Sequence, residues 1–274
     1  MRTEWKRVDR KNKCPICGKD RWCLISHDRS AVICPRTEEK SEKYIEGSGY
    51  LHIIGERKSM PKGGVVFKEK PLPEHNQVIA EFARKFYTLC GDEKTKVVSE
   101  NLGVSGESLR RLGMGWQDSS SAATFPMFRQ GKRVIGLRFQ CLLGKKWALK
   151  GSKMGLFIPV DVGYADGRPL YVCEGASDTA ALLDLGLTAI GRPSCLTGTR
   201  LIKEFSEGYK KIVIFADNDE VGIDGAKKLL SVLRAPGVDV RAISAPNAKD
   251  AREWISGGAT RMDVTRLVDD PLVL

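Results

Sequence analysis

Between residues 169 and 256, short apolar runs alternate four times with helical patterns. "PLYVCEG" precedes "ASDTAALLDLG", "LTAIGRPS" precedes "TRLIKEFSEG", and "KIVIFADND" precedes "VGIDGAKKLLSVLRAPG"; "VDVRAISAP" leads into "DAREWISGG". Runs this apolar are strands buried on both faces, and the helices between them supply the cover. The pattern therefore predicts an α/β domain with a parallel sheet flanked by helices. In such sheets ligands gather at the carboxyl ends of the strands. Glu174 stands at that place after "LYVC", Asp217 and Asp219 after "IVIFA", and Asp250 in the loop after the fourth run.

Crowded carboxylates raise one another's pKa unless a cation neutralises them. The natural cation is Mg2+ (or Mn2+), a hard ion that takes few carboxylates and shares oxygens with phosphates. Glu174, Asp217, Asp219 and Asp250 are the carboxylates that such a cation would neutralise. Alternation along an extended chain turns Asp217 and Asp219 to one side and Glu220 to the other. Acids at strand ends also cap the helices that follow, and Asp178 and Asp224 read as caps or solvated side chains.

The N-terminal stretch "CPICGKDRWCLISHDRSAVICPR" spaces Cys14, Cys17, Cys23 and Cys34 as C-x2-C-x5-C-x10-C, whereas Cys90, Cys141, Cys173 and Cys195 scatter over the rest of the chain. The first pair resembles a zinc knuckle. The second fits if Cys23 and Cys34 sit on two strands of a hairpin turning at "SHDRSA". Four thiolates around Zn2+ make a closed structural site, which a β module this small needs in place of a core. His27, at the hairpin tip, is an alternative ligand. Trp22, with Lys19, Arg21 and Arg29 nearby, either stacks on single-stranded bases or packs over the knuckle.

Charge separates the halves. Residues 1–160 hold 31 Lys/Arg against 17 Asp/Glu, and residues 161–274 hold 14 against 17. A basic front and a mildly acidic rear suit a polyanion in one part and cations in the other, or simply a basic soluble surface. No run of about 18 apolar residues exists, so no membrane span is expected. The charged start lacks an apolar signal core, which points to an intracellular protein whose cysteines are thiols or metal ligands.

Four segments follow from these shifts: a zinc-binding ribbon (1–55), a Lys/Pro/Gly-rich linker (56–76), a basic α+β subdomain (77–165) and the α/β domain (166–274). From residue 77 a helix is expected, with Val78, Phe82, Phe86 and Leu89 on one face. Residues 97–116, "VVSENLGVSGESLRRLGMGW", read as helix, tight Gly turn and helix, with Ser105 or Ser108 capping the second. The pair is either a DNA-reading helix-turn-helix or an ordinary helical hairpin. Residues 125–159 alternate as a β-meander carrying Arg133, Arg138, Lys145, Lys146, Lys150 and Lys153.

"VCEGASDTAALLDLG", "VIFADNDEVGIDGAKKL" and "KDARE" resemble the motifs of the TOPRIM domain of bacterial-type primases, topoisomerases and some nucleases. The order of zinc module, basic domain and TOPRIM resembles the DnaG-like primases, especially compact phage forms, over essentially the whole chain. The resemblance implies a DNA-directed RNA polymerase that primes single-stranded DNA in the cytoplasm of a bacterial or phage-infected cell. Glu174 would assist the chemistry as acid/base or metal-site partner. Asp217 and Asp219 would bind catalytic Mg2+, and Asp250 would complete the cluster. Template and nucleoside triphosphates would lie on Arg138, Lys146, Lys150 and Lys153, and Trp22 would meet the template. The cysteine spacing departs from the commoner forms, and no helicase segment follows residue 274, so a separate replicative helicase is expected. A TOPRIM nuclease and a catalytically inactive replication initiator are the rival readings. A topoisomerase is disfavoured by the short chain and by Tyr209 being the last tyrosine.

Overall fold

Four parallel strands form the sheet of the rear domain: β10 (Leu170–Glu174), β11 (Thr188–Arg192), β12 (Lys211–Ala216) and β13 (Asp239–Ser244), in the spatial order β11-β10-β12-β13. Each of the last three is reached by a crossover: α4 (Gly175–Asp184), α5 (Thr199–Phe205) and α6 (Glu220–Leu233). After β13 the chain runs into α7 (Ala251–Ser256) and α8 (Arg261–Asp269), the second of which the sequence pattern did not announce. Ile212, Val213, Ile214 and Phe215 are all buried, because both faces of β12 carry helices. Every strand and helix expected from the alternation is present.

The structure computed for this chain is a computed structural model that describes residues 5–45, 48–55, 75–163 and 165–270. It has two compact units, Met1–Lys70 and Pro71–Leu274. Residues 56–74 of the expected linker lie outside the described residues.

The first unit is a five-stranded antiparallel sheet: β1 (Trp5–Arg7), β2 (Leu24–Ser26), β3 (Ala31–Cys34), β4 (Lys43–Ile45) and β5 (Gly49–Ile53), ordered β1-β2-β3-β5-β4. The β2–β3 hairpin turns over residues 27–30, inside the "SHDRSA" stretch. Two small clusters, one built on the cysteines and one on Ala31, Ile33, Ile45 and Leu51, are its apolar interior.

The second unit begins with α1 (Gln77–Leu89), which Asn76 caps by accepting the Ile79 N–H at 3.1 Å. The helix packs on a four-stranded antiparallel sheet of β6 (Gly115–Gln117), β7 (Ala122–Arg129), β8 (Arg133–Cys141) and β9 (Lys146–Ala148). Its buried face is Ile79, Ala80, Ala83 and Phe86. This corrects the expected stripe: of Val78, Phe82, Phe86 and Leu89, only Phe86 is buried. The helix is rotated so that two alanines allow a close approach to the sheet, with Phe86 meeting Phe139 edge-on at 6.0 Å.

In chain order α1 is followed by α2 (Asp92–Leu102) and α3 (Gly106–Arg111), joined through Gly103 at φ +67°, before β6 begins. Ser105 is the cap, its Oγ accepting the Ser108 N–H at 3.0 Å. Leu109 of α3 is fully buried in a cluster that also holds Ala180 and Leu183 of α4, so this helix pair is tied into the rear domain. Two isolated bridges, Phe128 to Leu156 and Phe157 to Gly191, carry the backbone ladder from β7 to β11.

Candidate functional site

The four thiols of the first unit converge. Their sulfurs all lie within 4.8 Å of one another. The Cys17 and Cys23 sulfurs are 3.5 Å apart, and those of Cys23 and Cys34 are 3.8 Å apart. Tetrahedral zinc with bonds of about 2.3 Å requires sulfur separations of about 3.8 Å, so the set fits the ion after sub-ångström to ångström-scale shifts of the side chains. The knuckle is local: the Cys14 N–H donates to the Lys19 carbonyl at 2.8 Å and the Gly18 N–H to the Cys14 carbonyl at 2.9 Å. Cys34 ends β3 and Cys23 precedes β2, so the hairpin delivers the second pair. Burial first, then its thiol neighbours, push the Cys23 thiol up; a bound dication offsets that cost. His27 is exposed on the hairpin turn and is not in the cluster.

The acids of the rear domain gather more loosely. Glu174 closes β10, and Gly175 follows at φ +87°, a turn that starts α4 without using the Glu174 carboxylate as a cap. Asp217 follows the last residue of β12. Asp219 caps α6, its carboxylate accepting the Gly222 N–H at 2.7 Å. A Cβ on Gly222 would stand 2.5 Å from the Asp217 carbonyl oxygen, so only glycine lets the strand turn this tightly into the helix. Asp250 caps α7 through the Glu253 N–H at 2.8 Å and is 8% exposed.

Asn218 holds the two loops together. Its N–H donates to the Lys249 carbonyl at 2.7 Å, and its Nδ2 reaches the carbonyls of Ala248 at 3.3 Å and Ala245 at 3.4 Å. Burial first, then the charges of Glu174, Asp250 and Asp219, push Asp217 up to about 7, with Lys249 opposing. Among the described residues, the cysteines are the one group of three or more potential ligands within 4.8 Å of one another. The acids are thus electrostatic neighbours without being a closed cage. Such an oxygen-donor set suits a hard cation that keeps part of its water.

Two residues here escaped the sequence reading. Asp178 is 5% exposed, so it is not solvated, and it does not cap its own helix α4. It accepts the Arg252 N–H at 3.0 Å, and burial and then Asp250 push it up to about 7. Its signal was position: four residues after Glu174, it lies one helical turn farther along α4. Arg192 lies directly beside Glu174 in the β10–β11 register and is 3% exposed. Nothing in a lone "GRPS" marked it. Asp224 is exposed on α6, as expected of a solvated acid.

The cations predicted to hold nucleic acid lie on the other sheet of this unit. Arg138 is paired across β7 with Phe125, and Lys146 across β8 with Gln140, so the two share one face. Phe139 and Trp147 stack at 5.3 Å on the opposite face. Lys150 and Lys153 are exposed in the segment after β9. In the first unit Trp22 is 65% exposed, with the Arg7 guanidinium 5.9 Å above its ring. It does not pack over the knuckle.

Residues 171–255, which contain the parallel sheet, the strand-end acids and the crossover helices, match the Toprim-like family. No curated protein matches the chain. Among solved structures it is similar to the DnaG primase catalytic domain bound to single-stranded DNA: 16% identity, TM-score 0.56, covering 70% of this chain and 79% of that one. The E. coli primase catalytic core is similar at 16% identity and TM-score 0.55, covering 70% and 79%. The primase fragment of the bacteriophage T7 primase-helicase matches 97% of this chain and 100% of its own, at 17% identity and TM-score 0.51. The chain therefore has the fold of the DnaG-like primases.

Proposed function

We propose that this protein is a DNA primase, a nucleotidyltransferase that makes short primers on single-stranded DNA from nucleoside triphosphates. The observation that carries the reading is the placement of Glu174, Asp217, Asp219 and Asp250 at one carboxyl edge of a primase-like fold, with their charges acting on Asp217. Glu174, Asp217 and Asp219 are the proposed Mg2+ ligands, with Asp250 completing the acidic set; Asp219 and Asp250 each give one carboxylate oxygen to a helix cap and keep the other. Bound Mg2+ would supply charge neutralisation for an attacking hydroxyl and a departing pyrophosphate. The chain's own part is to orient the carboxylates, through Asn218 and the two caps, and to hold the polyanion.

Arg138, Lys146, Lys150 and Lys153 are the proposed grip on template and triphosphate, and Trp22 the proposed stacking platform on the zinc module. The proposed segments are those of the sequence reading: ribbon, linker, basic subdomain and Toprim-like domain. Among the described residues no helix is long and apolar enough to cross a membrane. A replication protein working in the cytoplasm together with a helicase fits this reading.

The test is primer synthesis on random single-stranded templates with labelled triphosphates and Mg2+, using the wild-type chain and Asp217→Ala. The wild type is expected to make short products and the variant none, with unchanged fold and zinc content. Undiminished synthesis by the variant would sink the assignment. Plasmid cutting without synthesis would favour the nuclease reading.

A further inference from the structure

Arg36 belongs to no motif in the sequence, yet it reaches the thiol cluster. Its Nη1 lies 3.5 Å from the Cys23 sulfur and 3.8 Å from the Cys17 sulfur, and it donates to the Arg21 carbonyl at 2.8 Å. The Arg21 carbonyl belongs to the peptide that leads into Trp22, whose φ is +73°, a backbone region that side-chain-bearing residues rarely adopt. One guanidinium edge therefore touches both cysteine pairs and the backbone that holds an exposed indole in a strained conformation.

Four thiolates on a dication carry a net charge of about −2, which a small and largely solvent-facing module must balance. A guanidinium donating to sulfur removes about half of that charge and fixes the direction of the sulfur lone pairs. The same nitrogen ties the Arg21–Trp22 peptide to the cluster, so the left-handed Trp22 backbone depends on the metal site keeping its shape.

We propose that Arg36 is a positioning residue outside the ligand set, one that slows metal loss from the four-thiolate site and holds Trp22 outward as a stacking surface for nucleobases. The inference rests on zinc occupying the four cysteines and is independent of primer synthesis.

The full-length chain is loaded with zinc, and release is followed with a chromogenic chelator for wild type, Arg36→Ala, Arg36→Gln and Arg36→Lys. Partners in the second coordination sphere typically contribute 10–100-fold to metal affinity, so Arg36→Ala is expected to release zinc at least about 10-fold faster. Arg36→Lys is expected to fall between, because an ammonium restores the charge but sits on a shorter side chain without the rigid planar group that brings Nη1 to sulfur and carbonyl. Binding of an oligothymidylate, measured in excess zinc, is expected to weaken in Arg36→Ala by the same factor as in Trp22→Ala. Release within about twofold of wild type for all three variants overturns the proposal. So does a wild-type chain that retains no zinc. Should Arg36→Ala emerge without metal, the wild-type, Gln and Lys release rates carry the comparison. A wild-type chain that holds zinc but makes no primers leaves Arg36 standing and removes the primase reading alone.

Discussion

The thiol cluster and the acidic strand edge are both built to hold cations, and they are built in opposite ways. The four cysteines lie within 21 residues, their sulfurs within 4.8 Å, and three of the four are buried. The carboxylates come from three strand ends spread over residues 174–250, and two of them spend an oxygen on capping a helix. The first arrangement leaves no position for a ligand other than protein sulfur. The second leaves the Glu174 carboxylate outside the cap of the helix it precedes. A closed set of soft donors stabilises a fold, whereas an open set of hard donors is suited to chemistry. Burial first, and then repulsion from the neighbouring acids, raise Asp217 to about 7, and a bound cation would offset both.

The sharpest way to break that contrast is to remove one member from each site. Asp217→Asn should lower primer synthesis by about 10³-fold or more, the loss of several kcal/mol of charge stabilisation, while circular dichroism and zinc content stay at wild-type values. Cys23→Ser should do the reverse to structure: zinc content falls and limited proteolysis cuts the first unit, while the second unit keeps its melting transition. A folded, protease-resistant first unit without zinc would show that the thiols are not structural.

A smaller effect concerns the basic sheet. Arg138→Ala with Lys146→Ala should weaken single-stranded DNA binding and reduce the slope of log affinity against log salt by roughly 0.7 per lost phosphate contact. An unchanged salt slope would move the nucleic-acid path away from this face.

The smallest expected effect is on stability against pH in chelator. Asp217 and Asp178 are both raised above their ordinary value, so between about pH 4 and pH 7 the folded protein binds more protons than the unfolded chain. The stability they contribute is fully present below the unfolded pKa and is lost as pH rises through about 7. The melting temperature of the second unit should therefore drop by a few degrees between about pH 5 and about pH 8 without metal, and the drop should shrink when Mg2+ is added. A flat profile without metal would mean that the acids do not press on one another.

Much of this was legible in the chain. The four strands of the Toprim-like sheet and the helices between them could be read because strands buried on both faces must be apolar throughout. The knuckle and its hairpin could be read because metal ligands need a fixed short spacing. The α1 face could not: Val78, Phe82 and Leu89 are as apolar as Ile79, Ala80 and Ala83, and periodicity does not say which stripe a flat sheet accepts. Nor did the chain show that backbone N–H groups of α6 and α7 would each take one oxygen of Asp219 and of Asp250.

The amino-acid sequence by itself determined the layer architecture, the cysteine set and the strand-end position of the acids, since each follows from local periodicity or spacing. Only the tertiary structure decided which acids remain uncommitted, that Asp178 and Arg192 are buried beside them, and that Arg36 reaches the thiol sulfurs. Those facts depend on how far apart residues distant along the chain stand once packed, and no local rule carries that distance.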